Sequence, residues 1–190
     1  MESTTKPIVR LESETQLRIY MLPLRQKILR TLHTLGTPAT AKRIADMLSL
    51  SPSSARHHLL RLREIGLVEH DHFELVNGIR AEYLRPADVT VSIGTNRVDA
   101  LSEDREALTA AMLAGVGQRF QKALAGQRER EIADPSLFCG DFLGGIAHLS
   151  QEDAQKFYRM VRDFLDMHTI PHGDSDTAWE FALIMYEANT

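Results

Sequence analysis

The chain has 190 residues, 43% of them apolar and 25% charged, with a formal net charge of −4 at pH 7. Such a chain can bury a proper core as one large domain or two small ones, and its composition excludes the disordered, collagen-like and disulfide-stapled classes. No apolar run approaches roughly eighteen residues and no basic-then-apolar leader is present, so neither a membrane span nor export is expected; the single cysteine, Cys139, allows no intramolecular disulfide and fits a reducing cytoplasm.

Residues 1–12, MESTTKPIVRLE, are polar and expected to be loose. Glu14 to Tyr20 reads as a short helix that breaks before Pro23. The next helix runs from Leu24 to Leu35, with Leu24, Ile28, Leu32 and Leu35 on one face, and Gly36 stops it. Residues 36–68 carry the most functional information. Thr40 can cap a helix whose apolar stripe is Ile44, Ala45 and Leu48. Leu50-Ser51-Pro52 then breaks the chain. Ser51 is a natural N-cap, and Pro52 suits the first helical position, where its missing N–H costs nothing. Ala55, Leu59 and Leu62 fall at i, i+4, i+7 and so face the first helix. Gly66 ends the second helix. Its opposite face shows Ser53, Ser54, Arg56, His57, Arg61 and Arg63. Phosphates demand cations and base edges demand hydrogen-bonding side chains, so this is the layout of a DNA recognition helix. Residues 67–85 read as two strands around Asn77-Gly78, a dipeptide that supplies positive φ at both central turn positions. Two helices, a tight turn and a hairpin make a winged helix.

Leu22 to Arg85 resembles the ArsR-type winged-helix transcriptional regulators. The matching residues are Pro23-Leu24-Arg25 with Ile28-Leu29, then Ile44-Ala45, Ser51, His58-Leu59 with Leu62-Arg63-Glu64, and Gly66-Leu67-Val68. The resemblance implies a DNA-binding regulator. Charge is distributed accordingly. Residues 22–68 hold eight Lys/Arg against two Asp/Glu, a balance of +6, whereas residues 91–190 hold nine against sixteen, a balance of −7. A basic block toward DNA and an acidic block away from it fit a modular regulator.

Pro86-Ala87-Asp88 punctuates the chain, so the winged domain is expected over residues 13–88 and a dimerisation and effector region over 89–190. Val89 to Gly94 is a short strand or an extended linker. A long helix is expected over 98–126, with Leu108, Met112, Val116, Phe120 and Leu124 along one side. That stripe needs a partner surface. Packing on its own C-terminal segment is one solution; the same helix of a second copy is the other, and a homodimer also doubles the DNA contacts. Residues 137–187 read as strand, helix, strand: Leu137-Phe138-Cys139 with Phe142-Leu143, then a helix from a capping-box-like Ser150 to Met167, then Trp179 to Tyr186 alternating with period two. This loosely resembles a C-terminal module attached to some ArsR-like regulators. The fold expected is mainly α with a small β component: an N-terminal winged helix, a long dimerisation helix and a small α/β module.

The expected DNA-binding residues are Ser53, Ser54, Arg56, His57 and Arg61 on the reading face, Ser51 at the turn, Lys42, Arg43 and Arg63 on phosphates, and Arg80 on the wing. The partners are double-stranded DNA and a second copy. An effector, if there is one, would sit between the C-terminal module and the long helix, lined by Met112, Phe120, Phe138, Phe142, Met160, Phe164, Trp179, Phe181 and Met185, although those residues more simply form a core. No metal or other cofactor is expected. His70-x-His72 on one strand would put both rings on one face, a possible Zn²⁺ or Ni²⁺ geometry, and His168, His172, Asp174 and Asp176 form a second grouping; a wing contact and a polar loop explain them more simply. Cys139, Asp141 and His148 could be drawn as a nucleophile, base and orienter, but nothing lowers the thiol pKa, so no enzyme is expected. A winged helix used for protein contact is the alternative function.

Overall fold

The computed structural model describes residues 6–95, 97–133, 138 and 140–188, with the backbone alone over 127–133. They divide into two compact units. The first joins residues up to Arg105 with Arg162–Ala178; the second joins Glu106–Val161 with the segment from Trp179.

The first unit opens with a strand, β1 (Ile8–Arg10), and helix α1 (Glu14–Met21). Ser13 and Gln16 form a reciprocal capping box at the start of α1. Helix α2 (Pro23–Leu35) follows and ends at Gly36, whose φ of 62° only glycine adopts without strain. Strand β2 (Ala39–Thr40) leads into α3 (Ala41–Leu48), and α4 (Pro52–Glu64) follows a turn in which Ser49 takes a left-handed conformation. Both caps form as the residue types dictate: the Thr40 hydroxyl accepts from the Arg43 N–H and the Ser51 hydroxyl from the Ser54 N–H, each at 3.2 Å. Ile28 and Leu32 of α2, Ile44 and Ala45 of α3, and Ala55, Leu59 and Leu62 of α4 are all fully buried and form the core that fixes the angle of α4.

The hairpin β3 (Val68–Val76) and β4 (Ile79–Pro86) turns at Asn77 and Gly78, with φ of 51° and 78°. β4 also pairs with β2, Ala39 against Leu84 and Thr40 against Tyr83. The residue that caps α3 therefore also stitches the base of the hairpin to it. The hairpin register slips between His70 and His72, leaving Asp71 as the extra residue. β5 (Thr90–Ser92) returns to pair in parallel with β1, so the shorter of the two readings of Val89–Gly94 is the one the fold adopts.

Three expectations are corrected. Residues 6–12 are not loose: β1 pairs with β5, Leu11 is buried, and Lys6 Nζ contacts Asp88 at 2.6 Å and the Thr169 hydroxyl at 2.7 Å. The partners of this segment lie some eighty residues or more away, so local composition could not reveal them. The long helix, α5, spans Ser102–Ala133 rather than 98–126. Residues 97–102 instead form a turn in which Asp99 receives the almost fully buried Arg105 guanidinium at 2.6 and 3.1 Å. The third concerns the C-terminal strands. Helix α6 (Gln151–Met167) is present, with the Ser150 hydroxyl accepting from the Asp153 N–H, but neither 140–149 nor 179–187 joins a sheet among the described residues. Alternation marks a segment that could be a strand, but a strand exists only with a neighbour to pair with. Leu137 and Cys139, part of that expectation, lie outside the described residues.

Candidate nucleic-acid interface

α3 and α4 meet through Ile44, Ala45, Ala55, Leu59 and Leu62, which leaves the other side of α4 in solvent. At 100° per residue, Ser53, His57 and Glu64 lie opposite Leu62, with Arg56 and Arg63 on one flank and Ser54 and Arg61 on the other. Ser53, Arg56, His57 and Arg63 are exposed, and Ser54 and Arg61 half-buried. All the α4 residues expected to read DNA therefore share one surface. Ser51 stands apart, because its hydroxyl is committed to the cap and lies 3.1 Å from the Ser53 hydroxyl.

The cations of this surface differ in what they already hold. Lys42 pairs with Asp46 at 2.7 Å one turn along α3, and Arg61 pairs with Glu64 on α4. Arg63 reaches across to the hairpin and donates to Glu82 at 2.8 Å. Arg43 and Arg56 are exposed with no carboxylate partner among the described residues. Arg80 stacks its guanidinium 3.7 Å above the Phe73 ring. Glu82 is the residue that sequence reasoning missed. It accepts from Arg63 and has His70 Nδ1 at 3.4 Å, so it joins the recognition-helix surface to the hairpin. Its place opposite Phe73 depends on register, which the local pattern does not state.

The bulge at Asp71 overturns the shared face expected for His70 and His72. His70 pairs with Leu84 and lies against Phe73 on the face of Glu82, whereas His72 pairs with Tyr83, stacks on its ring and bonds Asp71 at 2.6 Å. The two imidazoles point away from each other. The other grouping is tied up by its own turn: Asp176 accepts from the His172 and Gly173 N–H groups, which holds its pKa below the usual carboxylate value, and His168 Nδ1 lies 2.7 Å from the Phe164 carbonyl. Among the described residues no group of three His, Cys, Asp or Glu side chains could hold a metal ion.

His58 faces inward. It is half-buried, its Nδ1 lacks a hydrogen-bond partner among the described residues, and burial, then the Arg25 and His57 charges, push its pKa down. A neutral imidazole packed beside Arg25 is a poor phosphate ligand. Arg25 donates to the Ile19 carbonyl at 3.0 Å, and burial and Arg61 lower its own pKa while Glu64 raises it.

Over this same stretch, residues 22–71 match the family model of a helix-turn-helix domain. That stretch, about a quarter of the chain, is similar to a helix-turn-helix domain. The match covers α2, α3, α4 and the first residues of β3, so it holds every α3 and α4 residue of the surface described above. No curated protein matches the chain. A helix-turn-helix match points to DNA-binding regulation. A shallow, open concavity of about 280 Å³ lies beside α1 and α2, lined by Arg18, Met21, Leu22, Pro23 and Asp104. It shares no residue with the expected effector site. Among the described residues no helix is long and apolar enough to cross a membrane.

Proposed function

We propose that this chain is a cytoplasmic, homodimeric, sequence-specific transcriptional regulator of ArsR-like winged-helix type. The observation that carries the reading is the outward surface of α4, where Arg56 stands uncompensated beside Ser53 and His57 over a fully buried seam. α4 enters the major groove, with Ser53, Ser54, Arg56, His57 and Arg61 toward base edges and Lys42, Arg43 and Arg63 toward phosphates. Two copies, joined along the α5 stripe of Met112, Val116, Phe120 and Leu124, reach successive half-sites; Leu108, at the head of that stripe, is already buried within its own chain. A dimer seated on a promoter excludes polymerase, so repression is the default outcome. Arg56→Ala tests the reading: specific affinity should fall by about 1–3 kcal/mol with relaxed base preference, measured by competition binding against randomised sites. Salt-independent or absent DNA binding by the wild-type protein would end it.

The hairpin supports a second reading for its own part. Glu69, Asp71, Glu74 and Glu82 outnumber Arg80 and Arg85, a balance of −2. Its tip exposes Leu75 and Ile79 at 74% and 73%. An acidic hairpin with an apolar tip suits contact with a protein better than contact with phosphates. On that reading, Leu75→Ser with Ile79→Ser alters transcription while leaving operator affinity unchanged in a binding assay.

A further inference from the structure

Within the second unit, Leu108 is the one buried residue among those described. The unit does not lack apolar side chains. α6 is strongly one-sided yet has no buried residue. The segment before it exposes Phe142, Leu143 and Ile146, Leu143 at 95%, and the segment after it exposes Trp179, Phe181 and Ile184. We propose that this surface is seated on the same surface of a second copy, so that 142–160 and 179–186 form a layer shared by two chains and continuous with the α5 stripe.

Three observations choose a second copy over other occupants. The first is area. Aromatic side chains bury about 150–250 Å² each, so six large residues exposed to this degree offer on the order of 800 Å². That equals one side of a standard stable interface and exceeds the roughly 300–600 Å² patch of an ordinary monomer. The second is charge. Over 142–160, Lys156 and Arg159 of α6 balance Glu152 and Asp153. A two-fold interface must complement itself, and a patch of one sign would repel its copy; a nucleic acid or an anionic membrane would call for a basic patch. The third is the alternation of 179–186. By alternation Trp179, Phe181, Leu183 and Met185 fall in one set and Glu180, Ala182, Ile184 and Tyr186 in the other, with Glu180 paired to Arg119 of α5 and Tyr186 80% exposed. A segment whose alternating sets are both largely apolar has the pattern of a strand covered on both sides rather than of one that edges a monomer.

The proposal rests on the dimeric reading above, and its test separates the two. Amide hydrogen exchange of the wild-type full chain is followed through a dilution series whose dimer fraction is known from sedimentation. The expected result is exchange in 142–149, α6 and 179–186 that slows at least about tenfold in step with dimer fraction. Phe181→Asp with Ile184→Asp should raise the dimer dissociation constant by about 100-fold or more, with helix content and binding of one half-site by the monomer unchanged. Protection in these segments that is independent of concentration means that they fold on their own chain, and overturns the proposal. Dimerisation that protects α5 alone, or leaves 179–186 unprotected, also overturns it while the dimeric reading stands. A wild-type protein that stays monomeric to about 100 µM removes both.

Discussion

Arg63, Glu82 and His58 show how single residues set the terms of DNA binding. Arg63, proposed above to face phosphate, is already held by the Glu82 carboxylate. A phosphate must therefore displace Glu82, and that exchange offsets part of the Coulombic gain. Glu82→Gln should strengthen binding to all sequences alike and steepen the salt dependence by about one unit. Arg63→Ala should do the reverse, and both are read from affinities across a salt series. Unchanged slopes in both variants would show that Arg63 stays with the hairpin on DNA. His58 supplies a pH dependence. Its folded pKa lies below the unfolded value of about 6.5. Between the two, the unfolded chain binds more protons, so its contribution to stability is full above pH 6.5 and falls as the pH drops through the folded value. An NMR titration of the His58 ring should give a midpoint below about 6.5, and His58→Phe should flatten the acid side of the stability profile.

Elements were legible where chemistry is local. Thr40, Ser51 and Pro52 start helices, Gly36 ends one, and Asn77-Gly78 turns a hairpin, because each satisfies a backbone requirement within a few residues. Gly36 carries a second demand that local pattern does not state. A Cβ at this position would lie 2.6 Å from Pro171 Cγ. Gly36→Ala should cost at least about 1–2 kcal/mol from the left-handed backbone alone, seen as a lower midpoint in thermal or urea unfolding. An unchanged midpoint would mean that both strain and clash relax. The β1–β5 pair and the bulge at Asp71 were not legible. One joins segments about eighty residues apart. The other inserts a residue that reverses the face of His72 relative to His70, which alternation assigned to one side.

For the whole molecule, the contrast between units is the governing fact. The first holds a continuous core from α2, α3 and α4; the second leaves its apolar side chains at the surface. Met112→Asp with Phe120→Asp should give monomers in sedimentation and lose tight binding to a two-half-site operator, since one α4 forgoes half the contacts. Retention of a wild-type dimer would shift the burden of assembly off α5 and onto the C-terminal surface.

What the sequence determined by itself is the helix-turn-helix: which residues cap, which pack, and which side of α4 is left in solvent. Those properties follow from backbone hydrogen bonding and 3.6-residue periodicity over short spans. Only the tertiary structure decided that Arg63 is held. Lys42 and Arg61 meet Asp46 and Glu64 one turn away on their own helices, pairs that spacing along the chain permits, but Arg63 meets a glutamate nineteen residues on, while Arg56 has no carboxylate partner among the described residues. The reason is that charge pairing depends on distance in space, and the packing of the hairpin beside α4, not the order of the chain, sets the distance from Arg63 to Glu82.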